Sequence, residues 1–381
     1  MRGISRRALL AGGGALAACG RRKGSGYDGF LFVANQQGRN VAVIDLMAFG
    51  VAGRVALDGG PAAILAHAGR RAAYVLCPEE GAVHEIDAAR RTVRRTARLG
   101  APATGMRLDP GGQLLWVLCR GPNALVGLPL ESFRPAARIR LPGPAEDFDL
   151  SRDGAAAFSF RRENRVGLAS LRASALETTL AAGGEPGPVR FRRPDGGQVL
   201  AGNRASRSVS VWDTKTGRLV VNLPLPMEPA RFCFNGDGGQ LFVSGPGMDA
   251  VAILYPYRTE VAETVLAGRG PEAMAASVTP PSPYQYLFVA NPQSSTVTVL
   301  DIETRKLVAV AGVGADPGEI LFTPDGQYVL VLNRGSGDLA VIRIGALRTE
   351  TDGKRRRYTS PPLFTLIPVG SRPVAAAVVP A

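Results

Sequence analysis

The sequence predicts an all-β fold, a β-propeller of four-stranded blades arranged in a single ring. Two observations support this prediction: a unit of 42 residues recurs along the chain, and each unit contains four apolar runs separated by turn residues. The repeat is clearest from Leu287 to Asn333, where LFVAN, VTVLDIETRKLVAV, GADPGEILFTPDGQ and YVLVLN follow one another. An unbroken repeat over 381 residues favours one large domain over two.

The units can be counted from an anchor position at the end of each predicted second strand. Successive anchors are 42 residues apart, except for 46 residues between Gly245 and Asn291. The anchors are Asn35, Cys77, Cys119, Arg161, Asn203, Gly245, Asn291 and Asn333. Eight units predict eight blades. Units four and six match the pattern least well, which leaves seven blades as the alternative.

Each unit contains four predicted strands. The first follows a Gly/Pro cluster and ends in a turn such as Pro324 to Gly326, where Asp and Gly supply a local hydrogen bond and a positive φ. The second, such as Tyr328 to Leu332, is continuously apolar, which fits burial on both faces. Apolar and polar residues alternate in the third, such as Val297 to Asp301. The fourth, such as Thr92 to Leu99, carries the charges typical of an outer edge.

The two ends of the repeat region are complementary. The region begins with a second strand at Phe30 and ends with a first strand at Val374 to Val379. The C-terminal strand is therefore predicted to pair with the first blade and close the ring. The propeller domain is predicted to span residues 29–381.

The N-terminal 28 residues predict export. Arg6 and Arg7 precede the apolar run Ala8 to Ala18, which is too short to cross a hydrocarbon core of ~30 Å. Residues 1–18 resemble a twin-arginine lipoprotein signal peptide, although Ala8-Leu9-Leu10 departs from that motif and leaves the general secretion route open. Leu16-Ala17-Ala18-Cys19 resembles a lipobox, which implies a lipid on Cys19. A plain signal peptide without lipidation is the alternative.

These features predict an exported protein that is lipid-anchored to the bacterial cell envelope, at the periplasmic face or the outer membrane. Residues 19–28 would form a flexible tether, and the membrane would be contacted through the lipid only.

The charge of the chain argues against nucleic-acid binding. The net charge is +13, but six cations lie within the first 23 residues, and removing them leaves 13 − 6 = +7. The remaining cations are not clustered with aromatic platforms, as nucleic-acid recognition would require. The dense run Lys354 to Arg357 is predicted to be a solvated hairpin tip, with contact to anionic headgroups or glycans as the alternative.

The cysteines and histidines predict neither a disulfide nor a metal site. Cys77 and Cys119 are equivalent positions in neighbouring units, so their separation should exceed the ~7 Å limit for a disulfide, and Cys233 is predicted to be a small buried residue. His67 and His84 lack ligand spacing, and no haem-attachment motif occurs. No metal and no cofactor are therefore expected.

The repeats from Gly29 to Ala381 resemble those of the YVTN family of β-propellers, because the xVxVxD strand, the Gly/Pro loop and the PDG turn all match. The resemblance implies an extracytoplasmic propeller. Members usually have seven blades, so eight would be a departure. They include surface-layer-type proteins and relatives of propeller lactonases, and membership alone assigns no reaction.

The predicted contact surface is the face that carries the loops from second to third strands and from one blade to the next. The predicted ligand- or partner-binding residues are Asn35, Arg120, Arg161, Asn203, Arg231, Glu272, Asn291, Glu319, Asn333 and Arg334. The expected partner is an envelope protein or a small polar or glycan ligand, bound by a monomer. The alternative is that the asparagines only adopt unusual backbone angles and the charges are simply solvated.

A second hypothesis is a hydrolase resembling the propeller lactonases, acting on a small sugar-type lactone. Its candidate catalytic residues are Glu146, Arg231 and Glu319. One of the glutamates would act as general base or position a water, and nearby arginines would hold an oxyanion. This hypothesis requires a carboxylate and an arginine within hydrogen-bonding distance at the channel mouth.

Overall fold

The computed structural model describes residues 26–100, 102–277, 285–347 and 362–381. The predicted signal peptide, Cys19, most of the tether and the run Lys354 to Arg357 lie outside the described residues.

The described residues form eight antiparallel sheets of four strands each, which confirms the eight-bladed propeller. The strands are numbered β1 to β32 in chain order and are given below with the inner strand of each blade first. Blade 1 contains β32 (Pro373–Pro380), β1 (Gly29–Asn35), β2 (Asn40–Asp45) and β3 (Gly50–Ala56). Blade 2 contains β4 (Ala63–His67), β5 (Ala72–Cys77), β6 (Ala82–Asp87) and β7 (Thr92–Arg98). Blade 3 contains β8 (Ala103–Leu108), β9 (Leu114–Cys119), β10 (Ala124–Pro129) and β11 (Ala137–Arg140). Blade 4 contains β12 (Asp147–Leu150), β13 (Ala155–Phe160), β14 (Arg165–Ser170) and β15 (Ala175–Ala181).

The second half of the ring follows the same plan. Blade 5 contains β16 (Pro186–Phe191), β17 (Gln198–Asn203), β18 (Ser208–Asp213) and β19 (Leu219–Pro224). Blade 6 contains β20 (Arg231–Phe234), β21 (Leu241–Ser244), β22 (Ala250–Tyr255) and β23 (Glu260–Leu266). Blade 7 contains β24 (Met274–Ala276), β25 (Tyr286–Asn291), β26 (Thr296–Asp301) and β27 (Leu307–Gly312). Blade 8 contains β28 (Pro317–Phe322), β29 (Tyr328–Asn333), β30 (Asp338–Arg343) and β31 (Leu363–Pro368). Short 3₁₀ helices occur at Ala68–Arg70, Pro292–Ser294 and Ile344–Leu347.

The ring is closed by the C-terminal strand, as predicted. β32 pairs with β1 in antiparallel register from Gly29↔Pro380 to Asn35↔Pro373, with one register shift between Ala34 and Asn35. The inner strand of each blade contacts the inner strands of both neighbouring blades, and these contacts run without a break around all eight blades. The inner strands therefore line a central channel.

Apolar burial takes place between blades. The described residues form eight buried apolar clusters, and each cluster joins two neighbouring blades. The second strands are buried on both faces, as predicted. The third strands are buried as well despite their alternating sequence, and Thr298 in β26 is only 2 % exposed. Each sheet lies between two others, so both of its faces are covered.

The cysteines within the described part of the chain are free. Cys77 and Cys119 are buried, whereas Cys233, which was predicted to be a small buried residue, is half-buried. Burial raises the pKa of the Cys77 thiol to about 12, so it is not a reactive thiolate at neutral pH. Among the residues with described placement, no helix is long and apolar enough to traverse a bilayer.

Candidate functional site

Strand direction divides the molecule into two faces. The loop face carries the connections from second to third strands and from one blade to the next, whereas the turn face carries the remaining connections within blades. β1 runs from the turn face at Gly29 to the loop face at Asn35. The residues predicted to bind a partner lie on the loop face or on the inner strands next to it.

Four of the predicted contact residues are not available for contact. Asn35, Asn203, Asn291 and Asn333 are all 0 % exposed. Their amide groups bond inside the blades: Asn203 Nδ2 donates to Ser210 Oγ at 2.7 Å, and Asn291 Nδ2 donates to Thr298 Oγ1 at 2.9 Å. The prediction that these asparagines form a binding surface is therefore corrected, since their side chains stabilise the fold.

Two of these asparagines hydrogen-bond the connection that enters their own blade. Asn35 Nδ2 donates to the carbonyl of Val369 at 3.0 Å, and the Gly268 N–H donates to Asn291 Oδ1 at 3.1 Å. A Cβ on Gly268 would lie 2.6 Å from Cγ of Asn291, so glycine is required for this close approach. In blades 1 and 7 the buried amide thereby links the incoming connection to the second strand.

The charged residues predicted on the loop face form ion pairs there. Arg161 Nη2 lies 2.6 Å from Glu185 Oε2. Glu272 accepts from Arg231 Nη2 at 2.9 Å and from Arg334 Nη2 at 2.6 Å. Three of the predicted contact residues, Arg231, Glu272 and Arg334, therefore form one cluster.

Glu272 is the centre of this cluster. Burial alone would raise the pKa of its carboxyl, but the hydrogen bonds and charges of Arg334 and Arg231 outweigh burial and lower it. Arg334 also bonds Asp316, with Nη2 2.7 Å from Oδ1, and these partners raise the pKa of its guanidinium. Glu272 and Arg334 are therefore both ionised at neutral pH.

Glu146 forms a second group with arginines. Its Oε2 lies 3.7 Å from Arg120 Nη2, and its Oε1 lies 3.6 Å from Arg204 Nη1. Glu146, Arg204 and Arg231 line a cavity of about 200 Å³ that extends toward the inner strands. Glu319, the third candidate catalytic residue, does not line this cavity.

A cavity of about 940 Å³ forms an open basin on the loop face of blades 4 to 7. We call it the basin. Its lining includes Arg161, Glu185, Arg204, Glu228, Arg231, the segment 245–249, Gly270, Glu272 and Gln293. A neighbouring cavity of about 690 Å³ shares Arg161 and Glu185 with the basin and continues to Arg120 and Glu146. Volumes of this size are typical of ligand pockets.

Glu319 lies apart from the arginine clusters. It is half-buried on β28, and its Oε2 accepts from the Ala376 N–H of β32 at 3.0 Å. No cation lies within 4 Å of it among the described residues. Burial without a compensating cation raises the pKa of its carboxyl to about 7.

The inner strands also carry a charge network that sequence reasoning missed. Asp147 accepts from Arg190 Nη1, from the Val189 N–H at 3.2 Å and from Arg107 Nη2 at 3.4 Å. Burial would raise the pKa of Asp147, but Arg190 and Arg107 lower it. The signal in the sequence is the presence of charged residues such as Arg107 and Arg190 inside otherwise apolar first strands.

The two histidines lie in blade 2, away from the basin. His67 Nε2 is 3.0 Å from the Gly112 carbonyl oxygen at the turn face. His84 is buried with Nδ1 3.0 Å from Thr96 Oγ1, and burial lowers its pKa. Within the described ranges, no group of three or more His, Cys, Asp or Glu side chains is placed to hold a metal ion.

Comparison with known proteins supports the fold. No family model matches the chain. The chain is 28 % identical over 144 residues to the seven-bladed β-propeller protein Rv1057 of Mycobacterium tuberculosis, and the match covers 36 % of this chain and 36 % of that protein. The similarity thus spans about a third of the relative, and the resemblance to the YVTN family stays a prediction.

Two solved structures have the same fold at low sequence identity. The dihydro-heme d1 dehydrogenase NirN, in complex with DHE, is 16 % identical with a TM-score of 0.71, covering 90 % of this chain and 76 % of that one. The hydrazine synthase of Kuenenia stuttgartiensis is 18 % identical with a TM-score of 0.57, covering 74 % of this chain and 95 % of that one. These likenesses establish the β-propeller architecture alone.

Proposed function

We propose that the protein is a lipid-anchored extracytoplasmic binding module that uses the basin as its contact surface at the cell envelope. The observation that carries the proposal is the position of the basin, a cavity of about 940 Å³ that opens on the loop face where the connections of four blades meet. Its lining combines three arginines with four carboxylates on a rigid ring. Such a surface suits a small polar ligand, a glycan or a loop of a partner protein.

The envelope location is inferred from the N-terminal sequence. Arg6 and Arg7, the short apolar run and the lipobox-like Leu16 to Cys19 support export and lipidation. Metabolic labelling with a palmitate analogue tests the anchor, and Cys19→Ser is the matched variant. Label on the wild-type protein that disappears in the variant supports lipidation, whereas an unlabelled wild-type protein contradicts it.

Co-purification from envelope extracts tests the contact surface. Arg161 and Arg231 have side chains that are 42 % and 53 % exposed at the basin, so an Arg161→Ala/Arg231→Ala variant removes accessible charge. The turn-face variant Arg152→Ala/Arg193→Ala, which also replaces two exposed arginines, is the control. A partner or ligand retained by the control but lost from the basin variant supports the proposal. Equal retention by both variants contradicts it.

A second candidate function is a lactonase-like hydrolase centred on Glu146. The observation that favours it is the approach of Arg120 and Arg204 to this carboxylate, with Arg231 lining the same small cavity. Glu146 would act as general base or position a water, and the arginines would hold an oxyanion. Turnover on a lactone panel that vanishes in Glu146→Ala but persists in Glu319→Ala would support this assignment.

The activities named for the two structurally similar proteins are not part of this proposal, because the likeness shows the fold alone. One of them is described in complex with DHE, but it is only 16 % identical to this chain, so that ligand is not carried over. The binding proposal therefore rests on the basin of this chain and on its own charged residues.

A further inference from the structure

Acidic residues precede the proline that begins three of the blades. Glu185 precedes Pro186, Glu228 precedes Pro229, and Asp316 precedes Pro317. In each case the acid lies on the loop face, in the connection that enters blade 5, 6 or 8. The repeat therefore places three carboxylates at equivalent positions around the channel mouth.

Two of these three carboxylates are neutralised by an arginine at a defined repeat position. Glu185 pairs with Arg161, which is the anchor residue of the preceding blade. Asp316 pairs with Arg334, which directly follows the anchor of its own blade. The fold thus has two positions from which an arginine reaches an acid of this kind.

Neither position supplies a cation to Glu228. The anchor of the preceding blade is Asn203, which is fully buried, and the residue after the anchor of its own blade is Pro246. No cation lies within 4 Å of the Glu228 carboxylate, and no hydrogen bond to that carboxylate is present among the described residues. Glu228 does contribute to raising the pKa of Arg161, but the hydrogen bond from Arg161 to Glu185 is the largest cause and Glu228 the smallest.

The place where the repeat supplies no arginine, beside Glu228, lies at the basin. A side chain at Gly245 is excluded, because its Cβ would overlap the carbonyl oxygen of Glu228. Gly245 therefore lacks a side chain at the anchor position where the two preceding blades have Arg161 and Asn203, and the basin opens beside it. The nearby Arg231 is already bonded to Glu272.

We infer that the basin binds a ligand group with a positive charge, a primary ammonium or a guanidinium, which takes the place of the missing arginine beside Glu228. Arg161 and Arg231 of the lining are paired with Glu185 and Glu272, and Arg204 lies 3.6 Å from Glu146, so each of the three arginines that line the basin already faces another carboxylate. The charged group can belong to a free amine or to a lysine or arginine side chain of a partner protein. This inference rests on the proposed use of the basin as a binding surface.

Isothermal titration of the purified full-length protein tests the inference. The probes are 1,4-diaminobutane, argininamide and the peptide acetyl-Gly-Lys-Gly-amide, with succinate as the anionic counterpart. At least one cationic probe should bind, and Glu228→Gln should weaken it by roughly tenfold or more, since a charge-assisted hydrogen bond is lost. Glu177→Gln, on the outer strand β15, removes the same charge far from the basin and should leave binding unchanged. Tighter binding of 1,4-diaminobutane or argininamide than of the peptide indicates a free cationic ligand. Tighter binding of the peptide indicates a side chain of a partner protein.

A second variant keeps the inference testable if Glu228→Gln does not fold. Pro246→Arg places a guanidinium at the repeat position of Arg334 and should abolish binding of the cationic probe by pairing with Glu228. Unaltered binding in either folded variant, or no binding of any cationic probe to the wild-type protein, overturns the inference. A different ligand whose binding needs Arg161 and Arg231 but not Glu228 would overturn it while leaving the proposed function intact.

Discussion

The buried asparagines show that a recurring polar residue at the end of a strand has a structural task here. Asn203 donates to Ser208 Oγ at 3.1 Å and to Ser210 Oγ at 2.7 Å, and Ser210 in turn donates to Asn222 Oδ1 at 3.0 Å. A buried amide with these partners is costly to remove, because the remaining hydroxyls lose their bonds without access to water.

We therefore expect Asn203→Ala to lower the free energy of unfolding by about 1–3 kcal/mol, as measured by urea denaturation. The control is Asn123→Ala, at a half-buried asparagine whose side chain makes no hydrogen bond within the described residues. The control should change the free energy of unfolding by less than about 0.5 kcal/mol. An equal effect of the two substitutions would show that the buried network does not matter for stability.

The raised pKa of the Glu319 carboxyl predicts that the free energy of unfolding depends on pH. The folded protein keeps the proton on this carboxyl up to about pH 7, whereas the unfolded chain releases it near 4.5. The folded state binds more protons in this window, so the free energy of unfolding falls as pH rises from about 4.5 to 7 and levels off above.

Glu319→Gln should remove this loss and make the protein more stable than the wild type at pH 8, by up to roughly 3 kcal/mol. Thermal melts from pH 4 to pH 8 measure the effect. Glu303→Gln, at an exposed turn-face position, controls for the lost negative charge. A wild-type stability that rises across this window in parallel with Glu319→Gln would contradict the assignment.

At the residue scale, the sequence could predict where polar side chains gather but not which of them are accessible. Asn291 ends a second strand and is 0 % exposed. Arg334 directly follows the second strand of the next blade and forms ion pairs at the surface. Both side chains are approached closely by a glycine, Asn291 by Gly268 and Arg334 by Gly318. That approach is a tertiary feature and leaves only an indirect trace in the sequence.

The strands and their order, by contrast, could be predicted almost completely. Four runs in each period correspond to four strands, and neighbouring blades cover both faces of the second and third strands. The pairing of β32 with β1 followed from the unmatched runs at the two ends of the repeat. The Asp147 network was not predicted, since its partners come from three consecutive inner strands, β8, β12 and β16.

Deletion of residues 372–381 tests the closing strand. The deletion removes the inner strand of blade 1 and exposes apolar residues that are now buried in two clusters, including Phe32 and Leu31. The truncated protein should lose its cooperative thermal transition or aggregate on expression. A control that changes only the last residue, Ala381→Ser, should behave as the wild type, and a truncated protein that melts like the wild type would refute closure.

At the scale of the whole molecule, the two faces are oriented by the position of β1. The chain enters β1 at the turn face, and a tether of residues 19–28 spans at most about 35 Å. A lipid on Cys19 would therefore hold the turn face toward the membrane and leave the basin facing away from it.

Cysteine labelling on spheroplasts or vesicles carrying the anchored protein tests this orientation. A bulky maleimide should modify Gln293→Cys at the basin faster than Asp237→Cys at the turn face. The same two variants released from the membrane by detergent serve as controls and should react at more similar rates. Faster reaction of the turn-face cysteine on the membrane would reverse the proposed orientation.

Hydrogen–deuterium exchange with and without an envelope extract tests most directly that the basin is the binding surface. The account predicts that the extract protects the backbone amides of residues 228–231 and 245–249, which line the basin, and leaves those of residues 235–240 at the turn face unchanged. Protection confined to the turn face or to the outer strands would contradict the central claim.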